Sequence, residues 1–214
     1  MSESKASSEA GSLSIAFSQA RLGERAQVDR LFEQCRPYLR LMAKSQLNAK
    51  LQSKVDSSDL VQQTMLDAYR QWENFRGHGP GELLAWLRQL LNHNAIDFAR
   101  RYQQADKRQV TREVPLAEER GSTSPGAILA DFYSTPSQKM MREEAEVLLA
   151  QAIANLPENY QTVIILRSLQ RLPFEEVAEQ MECSRGAAQM LWARAVKELS
   201  AKYRGLEDKV VRKV

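Results

Sequence analysis

Cysteine and histidine are scarce in this sequence, with two of each among 214 residues. Cys35 and Cys183 lie far apart, and neither has a CxxC or CxxH neighbour. That excludes a disulfide framework or a cysteine-held zinc as the organising principle, and a reducing cytoplasm fits best. Long apolar runs are missing too. No stretch of about 18 apolar residues offers itself to a membrane, and the polar opening MSESKASSEAGSLSIAFSQA lacks a signal-peptide core. No period-two alternation is long enough for a strand. No Gly-rich phosphate loop or activated-nucleophile pattern occurs. Charge of one sign is also in short supply: 30 Lys and Arg against 27 Asp and Glu leave a net +3. The chain cannot coat nucleic acid by bulk electrostatics, so the placement of single cations has to matter.

What is present is helical periodicity, with 43% hydrophobic residues, enough for one large or two small domains. Val28, Leu31, Phe32 and Cys35 fall at helical spacing, and Tyr38, Leu39, Met42 and Leu47 continue the stripe beyond Pro37. Asp56, Ser57 or Ser58 can cap a helix whose apolar positions are Val61, Met65, Ala68, Tyr69 and Trp72. RGHGPGE (Arg76 to Glu82) is a breaker cluster and predicts a loop. Then Leu83, Leu87, Leu90, Leu91, Ala95 and Phe98 predict one long helix, with Arg88, Asn92, Arg100 and Arg101 largely off its buried face. The fold class expected is all-α: two small helical domains joined by a flexible linker. The boundaries read as a mobile tail over 1–26, a bundle over 27–103, a Pro/Ser/Gly-rich linker over 104–143, a second domain over 144–204 and a tail over 205–214.

In the second domain, Phe174, Val177, Ala178 and Met181 mark one face of a short helix with Pro173 at its start. The break ECS follows, and Ser184 is a good cap for the next helix. Ala188, Trp192, Ala195 and Leu199 line one side of that helix, which makes Trp192 core. Arg185, Gln189, Met190, Ala193 and Arg194 lie away from it, and Gly186 and Ala187 keep its start small. Two helices, a tight turn and a polar outer face make a helix-turn-helix.

LPENYQTVIILRSLQRLPFEEVAEQMECSRGAAQMLWARAVKEL is similar to the C-terminal domain of bacterial RNA polymerase sigma factors. VDSSDLVQQTMLDAYRQWENFRG followed by LLAWLRQLLNHNAIDFARR resembles the promoter-melting domain of their extracytoplasmic-function (ECF) group. Two independent motifs in the right order make the resemblance specific. It implies a sigma factor that directs promoter-specific transcription initiation without enzymatic activity or cofactor. Its partners would be RNA polymerase core, through the clamp of the largest subunit and the flap of the second largest, and promoter DNA. An anti-sigma factor is a further partner the resemblance raises. It implies polymerase contacts at Asp59, Gln62, Gln63, Leu66 and Asp67. Single-stranded proximal (−10) DNA would meet Asn74, Arg76, His78, Arg88, Asn92, Arg100 and Arg101. The loop Asn74 to Glu82 would take an extruded base, its Gly77, Gly79 and Gly81 giving the backbone freedom. Duplex distal (−35) DNA would meet Arg185, Gly186, Gln189, Met190 and Arg194.

The sequence departs from the family where Gln189, Leu191 and Val196 stand at positions that are basic in many members. Three fewer cations predict fewer phosphate contacts and a shallower salt dependence. A stand-alone helix-turn-helix regulator is the alternative, but no heptad run or sensor domain accompanies the motif. An enzyme is weaker still. His93 and Asp97 at i, i+4 could supply two metal ligands, yet His78 is the only other histidine, and HExxH is missing.

Overall fold

The protein is described by a computed structural model over residues 13–46, 56–107 and 136–211. Helix α1 (Leu13–Ala20) buries Leu13, Ala16, Phe17 and Ala20. The chain turns at Gly23, whose φ of 90° suits a residue without Cβ. Helix α2 (Arg25–Gln46) buries the predicted stripe from Val28 to Met42 and carries Pro37 inside without ending. Asp56 caps α3 (Ser57–Gln71), its carboxylate accepting from the Ser58 N–H at 2.7 Å. A 3₁₀ turn follows at Trp72–Asn74. Helix α4 (Pro80–Lys107) starts with proline at its first position, and the Glu82 carboxylate reaches back to the His78 N–H at 2.9 Å.

The second unit comprises α5 (Pro136–Ala154), α6 (Glu158–Ile164) with a π-helical turn at Ile165–Leu169, α7 (Phe174–Gln180) and α8 (Arg185–Val211). No strand occurs among the described residues, and the all-α fold of two helical units is the one the periodicity predicts.

The boundaries differ. The tail expected over 1–26 contains α1, because a two-turn apolar stripe set among Ser and Gly is too short to stand out from a polar background. The tail expected from 205 is helical to Val211. Of the linker expected over 104–143, α4 takes the first residues to Lys107 and α5 begins at Pro136. Leu47 and the apolar patch Ile128, Leu129, Phe132 and Tyr133 lie outside the described residues.

The two units also share a core. Val147, Leu149, Ala150 and Ile153 of α5 join one buried cluster with Leu31, Phe32, Leu39 and Leu87, and α5 packs on α2 and α4. Polar links run beside it. The Ser14 hydroxyl and N–H donate to Glu144 at 2.7 and 3.3 Å. The Gln170 amide donates to the carbonyls of Lys44 and Ser45 at 3.4 and 3.3 Å.

Candidate nucleic-acid interface

The turn between α7 and α8 is built from backbone hydrogen bonds. Glu182 adopts φ 51°, which lets the Cys183 N–H reach the Ala178 carbonyl at 2.9 Å and its own N–H reach Glu179 at 3.2 Å. These are the paired bonds of a Schellman motif with glutamate at the position glycine usually takes. The Ser184 hydroxyl then caps α8 by accepting from the Ala187 N–H at 3.2 Å. Ala188 and Ala195 are wholly buried. Trp192 is half-buried beside them, its Nε1 donating to the Ser168 hydroxyl at 3.3 Å and its ring edge-on to Phe174 at 6.0 Å. Trp192 is therefore a structural side chain, as its register predicts.

That orientation leaves Arg185, Gly186, Gln189, Met190 and Arg194 together on the exposed side of α8. Met190 is 57% exposed, and a Cβ on Gly186 would meet nothing within 4 Å. Sequence reasoning missed Glu175 on α7, whose carboxylate lies 3.0 Å from the Arg185 guanidinium. No periodicity links two residues on separate helices, so only the turn geometry reveals the pair.

In the first unit, the loop expected over Asn74 to Glu82 is shorter. Asn74 closes the 3₁₀ turn, and Gly81 and Glu82 belong to α4. Asn74, Arg76 and His78 are exposed. Gly77 and Gly79 do not adopt positive φ, so backbone freedom is not what glycine supplies here. A Cβ on Gly77 would instead enter the Phe75 ring. Phe75 is 7% exposed. It stacks on Trp72 (5.6 Å, 16°), leans on Trp86 (4.8 Å) and meets the edge of Phe17 (6.4 Å). Arg21, just beyond α1, donates to the Phe75 carbonyl at 3.0 Å and lies 6.0 Å from the Trp72 ring. The loop thus rests on an aromatic floor braced by α1.

The remaining strand candidates do not gather at one point. Arg88 is half-buried, 3.6 Å from Glu146 of α5. Exposed Asn92 accepts from the Gln46 amide at 2.7 Å. Arg100 and Arg101 are exposed and lie about 20 Å along α4 from Arg88, at 1.5 Å per residue. On α3, Asp59, Gln62 and Leu66 are exposed, Leu66 by 51%. Gln63 and Asp67 sit half-buried beside them. The Gln63 amide donates to both Asp67 oxygens at 3.1 Å, and Asn94 donates to Asp67 at 3.1 Å and to Thr64 at 3.3 Å. One helix face therefore combines fixed carboxamide and carboxylate groups with an exposed leucine. Among the described residues, no group of three or more His, Cys, Asp or Glu side chains could hold a metal, His93 and Asp97 included. No described helix is long and apolar enough to cross a membrane.

Comparison with known proteins matches both units. Residues 31–105 fit the family model for sigma-70 region 2, and residues 146–199 fit that for sigma-70 region 4. The chain is 35% identical over 143 residues to the ECF RNA polymerase sigma-E factor of Haemophilus influenzae, covering 67% of this chain and 72% of that one. It is 30% identical over 152 residues to the ECF RNA polymerase sigma-E factor of Escherichia coli K12, covering 71% and 75%. Among solved structures it is similar to the sigma factor RpoE of Bartonella quintana, crystallised with the anti-sigma factor NepR. There the identity is 21%, over 85% of this chain and 98% of that one, with a TM-score of 0.33.

Proposed function

Since the chain belongs to the ECF group of sigma-70 factors and directs transcription initiation, we propose a division of that work between its two units. The first unit holds RNA polymerase core and the melted proximal promoter strand. The second reads the distal element as duplex. A stand-alone regulator would account for the helix-turn-helix alone, whereas the family match spans both regions in order.

The distal reading is carried by one observation: burial of Ala188 and Ala195 turns Arg185, Gly186, Gln189, Met190 and Arg194 outward together. A helix presents such a face to a major groove about 12 Å wide. Arg185 contacts base edges there, and Arg194 contacts phosphate. In the first unit, Asp59, Gln62, Gln63, Leu66 and Asp67 contact the polymerase clamp, and the second unit contacts the flap. Asn74, Arg76 and His78, on the loop over the aromatic floor, take an extruded base. Arg88, Asn92, Arg100 and Arg101 follow the strand along α4. The chain works in the cytoplasm on nucleoid DNA, without catalysis or cofactor. An anti-sigma factor that covers these faces is a further partner.

Polymerase supplies the affinity that a net charge of +3 does not. With both units held over their elements, the distal contact becomes effectively intramolecular, and a weakly charged reader suffices. Gel shifts with a promoter duplex test this. The chain alone should bind poorly, and polymerase core should change that sharply. Tight, sequence-specific binding by the chain alone would favour the stand-alone regulator.

A further inference from the structure

We infer that Glu175 is a specificity-determining residue of the distal contact, acting through Arg185. The inference rests on the reading that Arg185 meets base edges. Arg185 is the first residue of α8, where the positive end of the helix dipole disfavours a cation. Nothing within α8 offsets this, since its first turn contains no acidic residue. The offset comes from α7. Glu175 lies in that helix's first turn, and its carboxylate sits 3.0 Å from the Arg185 guanidinium. The side chains are 59% and 62% exposed. An ion pair so solvated contributes little to folding, so its consequence lies in what happens when water leaves.

DNA docking removes that water and strengthens the pair electrostatically. Guanidinium has five N–H donors in a rigid fork. One edge engaged by Glu175 leaves the other aimed outward, and a fixed fork can make the bidentate contact to guanine O6 and N7 that discriminates bases. Glu175 also repels phosphate. An Arg185 without it would have a second low-energy choice, the nearest backbone oxygen, which carries no sequence information. Glu175 thus trades affinity for discrimination, because one carboxylate near the backbone weakens binding to every sequence.

The two effects have opposite signs, and a purely structural role would not produce that combination. The test uses reconstituted holoenzyme on a library randomised in the distal element, with the native chain, Glu175→Gln, Arg185→Ala and the double variant. Glu175→Gln should flatten preference at the base position that Arg185→Ala also flattens, by about fivefold or more in enrichment ratio. It should also tighten binding to a scrambled distal element and steepen the salt dependence. The double variant should be no flatter than Arg185→Ala alone, and Glu175→Asp should restore part of the preference. If Arg185→Ala flattens the preference and Glu175→Gln does not, the role of Glu175 is overturned. It is likewise overturned if the two effects simply add. If Arg185→Ala itself leaves distal preference intact, the reading of Arg185 as a base contact falls first, and the role of Glu175 with it.

Discussion

Replacing Glu182 by glycine should make the protein more stable, although the change removes a side chain and touches no core residue. Glu182 sits at φ 51° between α7 and α8. A residue with a Cβ is disfavoured there by roughly 1–2 kcal/mol. Glycine removes that strain and keeps both turn bonds, from Cys183 to Ala178 and from Glu182 to Glu179, since these use backbone atoms only. Against this stands the extra freedom glycine gives the unfolded chain, worth about 0.4–1 kcal/mol. The net expectation is a gain of about 0.5–1 kcal/mol, or a rise of about 1–4 °C in Tm for a chain of this size. Thermal melting followed by circular dichroism reads it directly. Glu182→Ala is the control: it removes the same side chain but keeps the Cβ, so its Tm should stay near native. Equal melting of the glycine and alanine variants would refute the argument from backbone strain. Glycine and alanine variants that both melt lower would mean that the glutamate side chain itself holds the turn.

Trp192→Ala should cost about 2–3 kcal/mol in a melt of the full chain. That is below the 3–5 usual for a wholly buried aromatic, because the ring is half-buried; an unchanged melt with lost promoter binding would instead turn the ring toward DNA. Gly77→Val should lower Tm by displacing the Phe75 ring, at about 1–3 kcal/mol, while Gly79→Ala, with nothing within 4 Å of its Cβ, should leave it within about 0.5 kcal/mol. Stability should decline in alkali. Burial pushes the Cys35 thiol up to about 12. The unfolded thiol therefore ionises first, and stability present below about pH 9 is lost as pH rises toward 12, by up to about 1.4 kcal/mol per unit. Denaturant titrations at pH 8 and pH 10.5 should show a smaller decline in Cys35→Ala than in the native chain.

The stripes on α2, α3, α4 and α8 were legible because each spans several turns, and burial of one face repeats a residue type at every turn. The turn residues were half legible. Ser184 announces its cap by type, but glutamate at the positive-φ position of a Schellman motif carries no such signal. Helix α1 was missed because four apolar positions make a weak pattern. Its role in bracing the loop through Arg21 and Phe17 depends on contacts across more than fifty residues of sequence. Gly77 was noticed for the wrong reason: glycine serves close approach there, and a sequence shows only that glycine is present. Exposure was easier to read than partnership. The outward residues of α8 follow from register alone, whereas Arg88 with Glu146, Asn92 with Gln46 and Arg185 with Glu175 join separate elements.

Those partnerships bear on why a sequence reader can be so lightly charged. Cations that meet phosphate strengthen binding to all DNA alike, so each one added to α8 would raise the background along with the signal. Gln189 stands among the outward residues of α8 without adding to that background. Arg185 is paired with the Glu175 carboxylate, and under the proposal above that pairing lowers its pull on phosphate more than its contact with a base edge. With polymerase providing the general grip, promoter choice depends on the ratio between right and wrong sequences rather than on absolute affinity. For a sigma factor, a helix with few free cations is then an advantage in discrimination, provided that its few polar side chains are held in fixed orientations.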